Sequence, residues 1–266
     1  MSIDRRGRPS KGRGMTEPAF STHFLTAADG VSLAWHEIGE GKPLVLIHGL
    51  FSNAFTNWIR FGHAEKIAGG GYRVIMPDLR AHGESGKPHD ASLYPKDVLA
   101  SDALALIAHL ELTDYDLAGY SLGARTSVRA IAHGATPKRL ALCGMGLEGL
   151  LGTAGRADHF RHILRNLGSH ERGSPAWMAE AFLKTTKGDP QALLLLLDSF
   201  VNVSEADLDA LAMETLILAG DEDLDNGSAP ALAARLPNAR YVEIPGGHMS
   251  AVTKPELGQA LADFFA

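Results

Sequence analysis

The run Pro43-Leu44-Val45-Leu46-Ile47 constrains the fold more than any other segment. A strand built from it has apolar side chains on both faces, so both faces must be covered, as in a parallel sheet layered with helices. Further short apolar runs follow at residues 73–76, 116–118, 140–143, 216–219 and 241–244. Residues 31–37 alternate apolar and polar, the pattern of a half-exposed strand. Helical periods separate several of these runs, as at 97–110 and 124–133, and residues 257–265 read as a closing helix. Alternating strand and helix predicts an α/β fold, a mostly parallel sheet with helices on both faces.

Residues 146–213 break the alternation. They hold no strand-like run, and segments 159–167, 175–185 and 190–201 are helical in pattern. So long a stretch is unusual as a plain loop in a compact domain. A helical lid inserted between two late strands is expected, with the core made of residues 21–145 and 214–266. The apolar stretch 193–197 should pack between lid and core or line a pocket.

Composition narrows the class. A chain of 266 residues, 45% hydrophobic and 21% charged, fits one large globular domain and not a disordered protein. No apolar run approaches the ~18 residues of a membrane span. The single cysteine, Cys143, lies in an apolar run and reads as a buried thiol. The net charge of −6 includes a basic start, Arg5, Arg6, Arg8, Lys11 and Arg13 against Asp4, so the remainder is more acidic still. Such a body repels nucleic acid and anionic membranes, and neither is expected as a partner. Residues 1–20 should be a disordered basic tail. Arg6-Gly7-Arg8-Pro9 has the look of a minor-groove binding core, but four residues in a basic tail are weak support. No apolar segment follows Arg5-Arg6, so an export signal is not expected and a cytoplasmic protein is.

Gly119-Tyr120-Ser121-Leu122-Gly123 is a G-x-S-x-G set between an apolar run and a helical pattern. A serine at such a sharp turn is strained, and flanking glycines leave room for it. The helix start beside the hydroxyl offers unpaired N–H groups to a developing negative charge. By itself the pentapeptide could equally be an ordinary connection with a serine cap. A nucleophilic serine needs a base, an orienting acid and an oxyanion hole. His48-Gly49-Leu50, after the run ending at Ile47, could present the Leu50 N–H together with that of Leu122. His248 lies on the glycine-rich segment Pro245-Gly246-Gly247-His248 after a strand-like run. Asp221, Glu222, Asp223 and Asp225 crowd the turn after residues 216–220, and one of them could hold an imidazole in its tautomer.

Over about residues 22–265 the chain resembles the α/β-hydrolase family, in its serine-nucleophile, esterase- and lipase-like branch. The residues that carry the resemblance are His48-Gly49, the octapeptide from Asp78 to Ser85, the G-x-S-x-G, Gly220-x-x-Asp223 and Gly246-Gly247-His248, in the order Ser, Asp, His. The resemblance implies Ser121 as nucleophile, His248 as general base and Asp223 as acid, with the Leu50 and Leu122 N–H groups as oxyanion hole. It also implies that the loop 78–85 is structural and that His82 packs and hydrogen-bonds. Family members often carry a proline after the acid; Leu224-Asp225-Asn226-Gly227 follows here instead. Asp221 and Asp225 therefore stay as rivals, and Glu148 is a more distant one.

A serine at the elbow argues against epoxide hydrolases and haloalkane dehalogenases of this fold, which attack with a carboxylate. Hydrolysis of a carboxylic ester of a small, partly apolar substrate through an acyl-serine is expected, without cofactor or metal. Thioesters, lactones, peracid formation and C–C hydrolysis use the same constellation, and a non-catalytic binding protein could retain it. Phe51, Trp58, Tyr120, Met145 and Trp177 are candidate substrate-binding residues, with Phe55, Leu150, Leu151 and Phe182 as further candidates for the lining.

Overall fold

The computed structural model describes residues 20–152 and 154–266. Of the expected basic tail only Phe20 falls among them; Arg6-Gly7-Arg8-Pro9 lies outside. The chain begins with β1 (Ser21–Thr26), β2 (Ser32–Ile38) and β3 (Lys42–Ile47), then α1 (His63–Ala68) and β4 (Tyr72–Pro77). Next come α2 (Val98–His109), β5 (Asp116–Tyr120), α3 (Leu122–Ala132) and β6 (Arg139–Cys143). Five helices follow: α4 (Leu147–Leu151), α5 (Ala154–Arg165), α6 (Pro175–Thr185), α7 (Pro190–Asp198) and α8 (Glu205–Asp209). The chain closes with β7 (Glu214–Gly220), α9 (Ala229–Arg235), β8 (Ala239–Ile244) and α10 (Pro255–Phe265).

The eight strands form one sheet in the order β1-β2-β4-β3-β5-β6-β7-β8. The pairings β1–β2 and β2–β4 are antiparallel and the rest are parallel. The solid apolar runs are explained by two cores, one on each face. Val45 and Ile47 of β3 enter one core, and Leu44 and Leu46 the other, as a period of two requires. Leu140 and Leu142 of β6 alternate with Ala141 and Cys143 in the same way. Burial pushes the Cys143 thiol well above its usual range, which leaves it inert. One core lies under α2, α3 and α9; the other under α1 and α10.

Two of the helices between β6 and β7 start where the sequence marks them. Ser174 accepts from the Trp177 N–H ahead of Pro175, and Asp189 accepts from the Gln191 and Ala192 N–H groups ahead of Pro190. Ala192, Leu193, Leu196 and Leu197 of α7 are buried in the core shared with α3. Among the described residues no helix is long and apolar enough to cross a membrane. β1 was not marked in the sequence: Ser-Thr-His-Phe-Leu-Thr is a half-exposed edge strand with Phe24 out in solvent.

The sheet order reverses between β4 and β5, so the carboxyl ends of β3 and β5 lie side by side. Ile47 pairs with Gly119 there. Open α/β sheets place ligands at such a switch point.

Candidate active site

Ser121 leaves β5 with φ 55° and ψ −111°, a conformation that side-chain-bearing residues rarely adopt. Its N–H is held by the Cys143 carbonyl at 2.8 Å. Two glycines make the turn possible. A Cβ on Gly119 would lie 2.2 Å from the Gly123 carbonyl, and one on Gly123 only 2.0 Å from the Ile47 carbonyl oxygen. The strand, the turn and the end of β3 are thus pressed together through bare backbone.

His248 reaches Ser121 from the loop after β8. Its Nε2 lies 3.0 Å from Ser121 Oγ and its Nδ1 2.9 Å from Asp223 Oδ2. These partners assign the proton to Nδ1 and leave the Nε2 lone pair facing the hydroxyl. The Asp223 side chain is 2% exposed. Asp221 instead accepts the Gly246 N–H at 2.7 Å, and Glu148 the Ser228 N–H at 2.7 Å. Asp225 is exposed, and its N–H donates to Asp223 Oδ1 at 3.2 Å. Asp223 is therefore the carboxylate that the structure sets against the imidazole. Asn226, not singled out in the sequence, is buried beside the pair and donates to the Gly144 carbonyl at 2.8 Å. It thereby ties the acidic turn to the end of β6.

Asp223, Asp225 and His248 also present ligand atoms within 4.8 Å of one another. A cation held there through Nδ1 would take the lone pair, move the imidazole proton to Nε2 and disarm it toward Ser121. The two uses exclude each other.

The segment after β3 is fixed by two buried histidines. His48 Nε2 accepts the Leu79 N–H at 3.0 Å while Nδ1 donates to the Gly49 carbonyl at 2.8 Å. His82 Nε2 accepts the Phe51 N–H at 3.1 Å and Nδ1 donates to the Arg80 carbonyl at 3.0 Å. Both patterns require neutral rings. Burial lowers the pKa of His48 and, with the neighbouring His48, pushes that of His82 down to about 3. Asp78 anchors the same region by accepting from Ala54 N at 2.8 Å, Glu84 N at 2.7 Å and His36 Nε2 at 3.2 Å. Burial opposes its charge, but these donors outweigh burial and hold the carboxyl well below the usual range.

The backbone donors in this segment are nearly all engaged. Gly49 N–H bonds to Asn57 Oδ1, Phe51 N–H to His82 and Ser52 N–H to the Gly49 carbonyl. Among the described residues nothing accepts from the N–H of Leu50 or of Leu122. Both residues line a cavity with Ser121. Two unclaimed donors beside one hydroxyl are what an oxyanion needs.

Two cavities meet at Ser121. The larger, about 570 Å³, includes Phe51, Met145, Phe160, Met178 and Phe182. The smaller, about 220 Å³, includes Asn57, Phe61, Tyr120 and Val252. Leu50, Ser121, Phe182, His248 and Met249 border both. A still larger cleft of about 740 Å³ lies between the loop 83–87 and residues 186–190 and holds none of Ser121, Asp223 or His248. Size alone does not mark the site.

The structure thus places Phe51 and Met145 on the larger cavity and Tyr120 on the smaller. Trp58 and Trp177 line neither. Trp58 is fully buried in the core against α1 and α10, because the π-helical turn Phe55–Ile59 directs it away from Ser121. On α6 the residues facing the cavity are Pro175, Met178, Ala179 and Phe182. They follow the i, i+3, i+4, i+7 spacing of one helical face, and Trp177 lies on the other. Phe55 is exposed on the separate cleft, and Leu150 is buried without reaching either cavity. His159, exposed on α5, also borders the larger cavity.

A family model described as the alpha/beta hydrolase family matches residues 44–257. The chain belongs to the alpha/beta hydrolase family. Within it, the chain is 37% identical over 118 residues to a non-heme haloperoxidase of Rhodococcus erythropolis, a match covering 42% of this chain and 39% of that protein. It is 30% identical over 219 residues to a 2-hydroxymuconate semialdehyde hydrolase of Pseudomonas sp. (strain CF600), covering 74% of this chain and 75% of that one. Among solved structures, a hydrolase from Pseudomonas aeruginosa PA01 superimposes with a TM-score of 0.74 at 23% identity, over 92% of this chain and 98% of the other. That likeness speaks to the shared alpha/beta hydrolase fold.

Proposed function

We propose that the protein is a serine hydrolase that cleaves carboxylic esters of small, partly apolar substrates through an acyl-Ser121 intermediate. The observation that carries this reading is the relay from Ser121 Oγ to His248 Nε2 at 3.0 Å and from Nδ1 to Asp223 at 2.9 Å. In it, Oγ attacks the ester carbonyl as its proton passes to His248 Nε2. The oxyanion faces the N–H groups of Leu50 and Leu122. Collapse breaks the bond to the alcohol oxygen, which takes the proton from Nε2. Water then attacks the acyl carbonyl, gives a proton to His248, and the acid leaves as Ser121 regains its hydrogen. The acyl group occupies the larger cavity and the alcohol the smaller. The helices between β6 and β7 act as a lid whose α6 supplies one wall.

Cleavage of a carbon–carbon bond next to a carbonyl by the same groups is a second reading. It is favoured by the long match to the 2-hydroxymuconate semialdehyde hydrolase. Formation of peracids is a third, suggested by the haloperoxidase relative. The test is turnover of short p-nitrophenyl esters together with labelling by a fluorophosphonate. Turnover and a label on Ser121 are expected. Absence of both turnover and label sinks the reading and leaves a non-catalytic binding protein.

A further inference from the structure

The larger cavity is mostly apolar, yet two arginines border it. Arg125 is 6% exposed. Its guanidinium donates only to backbone carbonyls, those of Gly149, Leu150 and Val201. Arg156, partly buried at the start of α5, donates to the Asp225 carbonyl and lies over the Phe160 ring at 5.6 Å. Among the described residues neither reaches a carboxylate within 4.0 Å. Arg60, Arg165, Arg172 and Arg240 also lack an acid but are exposed to water. The other arginines that are at least partly buried are different. Arg73, Arg80, Arg129, Arg139, Arg161 and Arg235 each pair with at least one acid.

A buried cation served only by neutral carbonyls is poorly compensated. The pKa of Arg125 falls to about 10 through burial, and the nearby Arg129 adds to the fall. Asp97, which could offset it, is already bound by Arg129. Burial also lowers the pKa of Arg156, against the pull of Asp225 and Asp223. Neither arginine is paired with a carboxylate at contact distance, although Asp225 and Asp223 lie near Arg156, and both stand on the wall of the same cavity. Arg125 is one helical turn beyond Ser121 on α3, about 6 Å along the axis.

We propose that the substrate carries a carboxylate at the far end of its acyl group, and that Arg125 and Arg156 form the subsite that binds it. The proposal rests on the acyl-transfer reading above. It narrows the substrate class to half-esters of short dicarboxylic acids and their relatives. Asp225 at the same rim sets the geometry: a carboxylate must seat against the guanidinium groups, not against the acidic turn.

The test compares mono-p-nitrophenyl esters of succinic, glutaric and adipic acid with the p-nitrophenyl esters of butyric, valeric and hexanoic acid. The charged member of at least one pair should have a kcat/KM about tenfold or more above its neutral partner, chiefly through KM. Arg125→Gln and Arg156→Gln should each lower that ratio about tenfold, and Arg156→Lys should recover part of it. Arg125 also holds three carbonyls, so Arg156→Gln is the variant that keeps the test alive if the other fails to fold. A ratio near one for all three pairs overturns the proposal. Calorimetric titration of Ser121→Ala with glutarate separates the two readings. Glutarate binding that Arg156→Gln weakens, in a protein that hydrolyses no ester, keeps the subsite and removes the hydrolase. Ester turnover without charge preference and without glutarate binding removes the subsite and keeps the hydrolase.

Discussion

Tyr120 donates a 2.6 Å hydrogen bond from its hydroxyl to the backbone carbonyl of His248. The residue that immediately precedes Ser121 thus holds the loop that carries His248. Tyr120 is 4% exposed and its ring lies 5.5 Å from the imidazole. Tyr120→Phe keeps the packing and removes the bond, a loss of about 1 kcal/mol of positioning. We expect kcat to fall about three- to tenfold with KM little changed. Steady-state kinetics on one p-nitrophenyl ester checks it; a KM effect alone would assign Tyr120 to substrate contact instead.

The acidic turn gives a sharper comparison. Asp223 contacts the imidazole, Asp221 holds Gly246, and Asp225 faces solvent. Asp223→Asn offers an amide where the Nδ1 proton needs an acceptor, so kcat should drop by about 10³- to 10⁴-fold. Asp221→Asn and Asp225→Asn should each lose less than about tenfold. Rates for the three variants, measured in parallel, decide the assignment.

Gly123 is predicted to be irreplaceable. An alanine Cβ would sit 2.0 Å from the Ile47 oxygen and 2.8 Å from that of His48. Relief requires β3 and α3 to separate, which would also move Leu50 away from Ser121. We expect Gly123→Ala to lose about 3 kcal/mol of stability, or about 6–12 °C in Tm. Calorimetry of the variant is the check, with residual turnover as a second reading.

The neutral histidines predict how stability varies with pH. His82 is lowered to about 3 in the folded protein by burial, while an unfolded histidine titrates near 6.5. The unfolded chain therefore binds the extra proton first as pH falls. The contribution of His82 is complete above about pH 6.5 and declines progressively from there down to about 3. His48 is shifted the same way. Between about pH 6.5 and 4.5 most carboxylates stay ionised, so the histidines dominate the slope. Tm should fall across that interval, and His82→Gln, which cannot titrate there, should flatten the fall. An unchanged slope in His82→Gln would refute this account.

Much of the architecture was legible because it depends on burial. Pro43 to Ile47 had to feed two cores, and it does. The helical patterns at 175–185 and 190–201 start where α6 and α7 start, though α7 ends at Asp198. β1, α1 and α9 were not marked, since an edge strand and helices of six or seven residues carry too little periodicity. At the site, the order of Ser121, Asp223 and His248 could be read, but cavity walls could not. Choosing aromatics by type picked Trp58, which the turn after Ser52 directs into the core. A helical wheel of α6 points instead to Pro175, Met178, Ala179 and Phe182. Arg125 carried a readable signal, since it stands four residues after Ser121 on the same helix. Its lack of an acidic partner depends on long-range packing and shows only in three dimensions.

The two chambers that meet at Ser121 and His248 also share Leu50, Phe182 and Met249 and otherwise have separate walls. In the proposed reaction, acyl group and alcohol would therefore be read by different sets of side chains. On that reading, a change in Met178 or Arg156 would alter which acyl group is chosen without touching the residues around Asn57 and Val252 on the other chamber. Such a partition would let the two halves of specificity drift independently, one residue at a time, around an unaltered serine.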